Sequence, residues 1–576
     1  MISKVKVLGS CIILSMGVSA CGSTSAAPPA TGAPAPGGTA VVALPVQTSP
    51  NWFFPVMSLT ADSVVNFQVD DMMYKPLLHI SRNDSVDYSR SLASGVTWNS
   101  QGTRYVVTLN KKWHWSNGQP VTAQDVVFTY GLMKEASSGA SSLPWAFAGE
   151  GFGGMPGLWK SVVAQGSDQV VITLNTPKNQ QWFLRNGINQ IVPVPESVWN
   201  KYPNNAVQEL KYIDSIANSP SSAAYQVVDG PYRFAGSSPN NYWSFVPNKA
   251  YDGHKSLLAK VIFQYETSSA SEFDALKTGT VNVGYLPPSL LKVRNQLTED
   301  VFSVAYPFGF NYILDNFSPK APGKMGQAFS SLPVRQALQM GVDQPAIIKH
   351  LYQGYGAVDD TTVAPEPATP FFDPALRVNP YPFNPQKGKQ LLLKNGWHLV
   401  NGVMEKHGMT LSFILDYASG SQTATNVVQL LKSDWALEGI HVTLISQPFD
   451  TVISDSPSNA SQWAMIDWNG GWTYGTDPYP TGGGLFGANG AENSGSYSSQ
   501  KMDELIAASY LPGTSAQTLK ALYAYERYAA EQLPAVFIPW IPNFNEHSAT
   551  IHGTVRTFDP VGDVLSPNYW WISKSN

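Results

Sequence analysis

Cysteine is almost missing: the 576-residue chain has two, Cys11 and Cys21. Cys11 sits in an apolar run near the N-terminus, so its removal with that run would leave Cys21 alone. Neither an intramolecular disulfide nor a thiolate metal site is then possible. Charge is scarce too. Asp, Glu, Lys and Arg make up 13% of the residues, about half the usual share. The surface must draw its solubility from Ser, Asn, Gln, Thr and Gly, which suits an exported protein and tolerance of acid, because few carboxylates need protonating. A net charge of −5 argues against a nucleic-acid partner. Beyond the N-terminal run no segment reaches eighteen consecutive apolar residues, so no later membrane span is expected.

Catalytic signatures are missing as well. The chain contains no G-x-S-x-G, no H-E-x-x-H and no G-x-x-x-x-G-K-[ST]. Its nine His are scattered, and the nearest pair, His547 and His552, has poor spacing for two ligands on one helix face. Two G-x-G-x-x-G strings occur, at 149–154 and 482–487. Neither lies between a buried strand and a helix, where pyrophosphate would meet a helix N-terminus, so both read as loop glycines. An exported hydrolase with an unrecognised site is the alternative from a different functional class.

The N-terminus is what the sequence states most specifically. Lys4 and Lys6 precede "VLGSCIILSMGV", and "VSAC" ends at Cys21. A basic segment, a short apolar run and small residues before the cut describe an export signal over 1–20. Cys21 after "VSA" resembles the lipobox of bacterial lipoproteins, in which the thiol takes a diacylglycerol. A plain signal cut near Ala20 is the simpler alternative. Without residues 1–20 the formal charge becomes −7, because two lysines leave and no carboxylate does. Residues 21–38 are rich in Ser, Ala, Pro and Gly and read as a tether too poor in apolar residues to fold.

The remainder alternates strand and helix signals. "TAVVALPV" (39–46), "RYVVTLN" (104–110), "QVVITLN" (169–175), "KVIFQYE" (260–266), "MTLSFILDYA" (409–418) and "IHVTLISQPF" (440–449) are β-branched runs. Thr122 and Asp125 are spaced as a capping box, with Val126, Val127 and Tyr130 as the apolar stripe that follows. Asn384 and Pro385 open a helix that Gly396 stops, and a helix ending at Gly439 leads straight into the strand at His441. Residues 515–534 form a long helix ended by Pro534. The fold class is α/β, in several lobes.

Four separated stretches then share one resemblance. "WHWSNGQPVTAQDVVFTY" (113–130), "VVDGPYRF" (227–234), the block 310–356 containing "FNYILDNF" and "VRQALQMGVD", and "GGWTYGTDPYP" (470–480) resemble, in order, motifs of the family 5 extracellular solute-binding proteins. The resemblance implies a periplasmic-binding-protein type II fold: two lobes, an extra domain, and a ligand cleft between the lobes. Lobe 1 would comprise 39–80, 225–300 and 535–576, interrupted by the extra domain at 81–224; lobe 2 would span 301–534. It further implies a monomer that closes on peptide or a similar small solute, delivers it to an ABC permease, meets the membrane through its N-terminal lipid and needs no cofactor. An oligosaccharide or a metal chelate is the alternative cargo.

The same resemblance places Trp468, Asn469, Trp472, Tyr474 and Asp477 in a cleft loop, with Asn311 and Tyr312 after the "fN" strand and Trp52 and Phe53 in the first cleft loop. Each has a bland reading, as core anchor, turn cap or packing residue. Arg335 and Asp343 read as structural. The chain also departs from the family. Peptide-binding members carry an Asp between "GW" and "DP" that pairs with the peptide α-ammonium; here the positions read Thr473-Tyr474-Gly475-Thr476. Asp467 is the nearest carboxylate upstream, inside the expected strand.

Overall fold

The computed structural model describes residues 34–573 except Asn83 and Thr476. The export signal 1–20, Cys21 and most of the tether lie outside the described residues. No helix among the described residues is long and apolar enough to cross a membrane.

Two large sheets carry the fold. In the first, seven strands lie in the order Asp300–Ala305, Asn543–Ser548, Val283–Tyr285, Thr39–Ala43, Lys260–Gln264, Tyr242–Pro247 and Tyr232–Ser238. In the second, five lie in the order His441–Gln447, Ser412–Ala418, Met465–Asp467, Tyr312–Asp315 and Val536–Phe537. A separate antiparallel sheet of four strands, within 93–174, is inserted between segments of the first. The expected β-branched runs all form strands, each within a few residues of the sequence reading. Ser412–Ala418 and His441–Gln447 pair in parallel, joined by the helix Gln422–Glu438, which stops at Gly439 in the left-handed region (φ 84°). Only a residue without Cβ adopts that turn at little cost.

The capping box is present. Thr122 Oγ1 accepts from Asp125 N (3.3 Å), and Asp125 Oδ2 accepts from Thr122 N (2.8 Å), at the start of helix Ala123–Ala136. Val126 and Tyr130 face the core while Val127 is half-buried. Removing the cap oxygen with Thr122→Ala is expected to lower stability by about 1 kcal/mol, read as a lower urea midpoint with unchanged ligand affinity. Arg335 and Asp343 are structural, as read: Arg335 donates to Phe329 O and Gln532 O, and Asp343 caps the turn at Ala346 N.

The chain passes between the two large sheets at 306–311 and again at 538–542. These crossings are tied together. Trp540 Nε1 donates to Pro307 O (3.1 Å) and Asn311 Nδ2 to Pro539 O (3.0 Å). Their short span and mutual bonding bring the edges of both sheets to one cleft.

Candidate ligand cleft

The stretch 463–487 is built outward from the second sheet. Met465–Asp467 lies between Ser412–Ala418 and Tyr312–Asp315, which buries Met465 and Ile466. The strand ends where Asp467 Oδ1 accepts from Asn469 N (2.8 Å) and Asn469 turns left-handed (φ 61°). Trp468 Nε1 then donates to Gly471 O (2.8 Å), closing the turn. Trp472–Thr473 pairs antiparallel with Gly309–Phe310 on the first crossing, and Tyr474 N donates to Phe308 O (2.8 Å). The loop is therefore anchored to a crossing segment along its whole middle.

A cavity of about 560 Å³ lies between the sheets, within the range of small-molecule sites. Trp468, Asn469, Trp472 and Asn311 line it. Trp472 is held edgewise by Asp477, whose Oδ1 accepts its indole N–H (3.3 Å), and by the Phe152 ring 5.8 Å away. Asn311 donates from its backbone to Asp359 Oδ2 (2.9 Å), and its own Oδ1 is buried without a partner.

The other candidates lie behind this wall. Tyr474 is fully buried and donates to Thr362 O; Asp477 is fully buried beneath Trp472. Tyr312 packs against Trp468 with ring centroids 5.2 Å apart. Trp52 turns its indole N–H to Phe54 O (2.8 Å), and Phe53 packs between Tyr225 and Phe234. None of these five lines the cavity: Tyr312, Tyr474 and Asp477 brace the loop, whereas Trp52 and Phe53 pack in the core away from it. Asp467, the nearest carboxylate upstream of 473–476, is 2% exposed and occupied with the Asn469 turn. Burial lifts its pKa to about 6.

The two glycine-rich strings meet each other. A Cβ on Gly484 would fall 1.7 Å from the Phe152 ring, and Ala491 N donates to Glu150 O (3.2 Å). Their glycines permit close approach of two loops across the cleft, with no phosphate cradle. Phe152 escaped the sequence reading, although its string of glycines marked a place where backbones come close.

The cavity wall has an uneven charge. Asp62, Asp71, Glu492 and Asp563 are among its carboxylates, and no Lys or Arg is among the described residues that line it. Burial raises the pKa of all four, Asp62 to about 6 and Asp563 to about 7.

The model of the bacterial extracellular solute-binding proteins, family 5, matches residues 87–492. The oligopeptide-binding protein AppA of Bacillus subtilis (strain 168) is 22% identical over 573 residues, covering 98% of this chain and 97% of that one. The structure of AppA in complex with a nonapeptide superposes with a TM-score of 0.80 at 20% identity, covering 94% of this chain and 100% of that one. NikZ from Campylobacter jejuni, in complex with Ni(L-His), superposes with a TM-score of 0.70 at 19% identity, covering 90% and 95%. The two sheets, the inserted sheet and the cleft between them are thus the periplasmic-binding-protein type II fold, and the chain belongs to the family 5 extracellular solute-binding proteins.

Proposed function

We propose that this protein is the receptor of an ABC importer, which captures a short peptide or a similar small solute by closing its cleft and presents it to a membrane permease. The observation that carries this reading is the Trp472 loop: an aromatic wall pinned to a crossing segment, facing a cavity that lies between the two sheets. Trp468, Asn469, Trp472 and Asn311 are the contact residues in this reading. Large rings supply contact area at little conformational cost, and the Asn side chains and exposed backbone satisfy a polar solute. Tyr474, Asp477 and Tyr312 hold those contacts in place. Lobe 1 is assigned to 39–80, 225–300 and 535–576, the extra domain to 81–224 and lobe 2 to 301–534, with hinge bending at the two crossings. The monomer is anchored by a lipid on Cys21.

Mass spectrometry of small molecules released by denaturing the purified protein tests the reading. A set of short peptides is the expected result. A glycan, a metal chelate, or the product of a turnover reaction in their place would overturn it.

A further inference from the structure

The extra domain is fastened on two sides. Backbone bonds weld it to lobe 1: Phe53 N donates to Ala217 O (2.9 Å), Leu59 N to Ala146 O (2.9 Å) and Ala148 N to Met57 O (3.0 Å). A second set of bonds reaches lobe 2. The buried Asn186 donates from Nδ2 to Tyr479 O (2.7 Å) and accepts at Oδ1 from Tyr479 N (3.0 Å). One side-chain amide thus pairs with both backbone groups of a residue 293 positions away. Upstream, Asn179 N donates to Tyr510 O (2.9 Å), and the Trp182 ring stacks on Tyr510 with centroids 4.2 Å apart at 16°.

The local backbone aims Asn186 at this contact. It lies in a wide π-type turn, Phe183–Gly187, where Ile188 N donates back to Phe183 O. Such a turn inserts a residue into the helical path, re-aims the side chains around it and recurs at functional sites. Asn186 O packs against Gly153, where a Cβ would fall 2.3 Å away, so the same turn abuts the loop that carries Phe152. Phe152 meets Trp472 at 5.8 Å, and Tyr479 lies just beyond Trp472 on its loop. Asn186 therefore holds both sides of the aromatic wall, Phe152 from the extra domain and the 472–479 segment from lobe 2. Hinge bending at the crossings carries lobe 2 away from the extra domain. The bonds to 53–59 survive that motion, whereas those to Tyr479 and Tyr510 part and leave buried polar groups to find water.

We infer that Asn186, with the Trp182–Tyr510 stack beside it, is a positioning residue: a clasp through which the extra domain holds the Trp472 loop and keeps the cleft shut on its solute. This role rests on reading the cleft as a solute site that closes by hinge bending. Asn186 does not itself line the cavity. A contact made only in the closed form shifts the equilibrium towards that form and lengthens the stay of a bound solute. It does not hinder the solute's encounter with the open form, so its effect falls on release.

X-ray scattering of the purified protein without added solute, and stopped-flow binding of trialanine, test the clasp. Asn186→Ala and Tyr510→Ala are each expected to enlarge the radius of gyration and to speed trialanine release about tenfold, with association not slowed. Tyr510→Phe keeps the ring and should match the wild type; opening as wide as Tyr510→Ala counts against the stack. A pair of alanine variants that melt lower, yet scatter and release trialanine as the wild type does, overturns the clasp and leaves a packing seam. A loss of affinity that comes wholly from slower association also overturns it. If Asn186→Ala does not fold, Tyr510→Ala carries the same decision from the opposite side. If trialanine binds to none of these proteins, scattering alone decides the clasp, and the solutes released from denatured protein decide separately whether solute capture fails.

Discussion

Between pH 8 and pH 5 the melting temperature of this protein rises. Glu438, Asp315 and Glu272 are 0%, 0% and 4% exposed, and burial lifts their pKa values to about 9, 8 and 8. Glu438 is the last residue of the helix Gln422–Glu438, where the carbonyl ends repel a negative charge, and Asp434 adds to the repulsion. Both its oxygens are buried without partners. Asp315 lies near Arg335, which lowers its pKa in part, but the guanidinium donates to backbone carbonyls instead. A carboxyl whose folded pKa is raised binds its proton more tightly in the fold than in the unfolded chain. Its contribution is complete below the unfolded value near 4 and is lost as the pH climbs towards 8 or 9. Each such group changes stability by up to about 1.4 kcal/mol per pH unit in that window.

Three histidines act in the opposite direction. Burial lowers the pKa of His79, of His547 and of the half-buried His552, so acid below about 6.5 destabilises the fold through them. That window overlaps only the lower half of the range, whereas the three carboxyls act across all of it. The carboxyls prevail. Allowing for relaxation, the net gain is on the order of 5 kcal/mol, a rise of about 5 °C for a chain of this size. Calorimetric scans at constant ionic strength measure it, and Glu438→Gln should remove about a third of the slope. A melting temperature that is flat or falls between pH 8 and pH 5 contradicts the assignment. Scarce charge alone suggested acid tolerance; the buried carboxyls convert it into acid preference.

The elements were legible because their signals are local. The box at Thr122 and Asp125, the stop at Gly439 and the β-branched run 104–110 each depend on neighbours in sequence, and each forms in the structure. The cleft loop was legible as a loop, and its glycine strings as loops, for the same reason. Exposure within it was not. Trp472 and Tyr474 lie two residues apart in one aperiodic segment, yet one lines the cavity and the other is buried beneath it. Trp52 and Phe53 looked like ligand walls because aromatic rings serve cores and binding surfaces equally well.

Gly309→Ala should abolish high-affinity ligand binding from a position that touches no ligand. Gly309 pairs with Thr473 in the short ladder that carries Trp472. A Cβ built there would fall 2.0 Å from Trp472 O and 2.9 Å from the Trp540 ring. The first contact is backbone, which no side-chain rotation relieves, so the 472–473 strand must leave the crossing segment. Forced repacking of that kind costs about 1–3 kcal/mol of stability. Binding suffers more, because Trp472, its hydrogen bond to Asp477 and the Phe152 contact move together. An affinity loss of about a hundredfold is expected, equivalent to roughly 2.7 kcal/mol, read by titrating the peptides recovered from the wild-type protein. Gly471→Ala, in the cavity-lining turn just before the other strand, strains the same ladder, since its Cβ would meet Phe310 O at 2.3 Å where φ is already +64°. If both variants melt lower yet bind with wild-type affinity, the Trp472 ladder is a structural seam only, and the ligand is held elsewhere in the cleft.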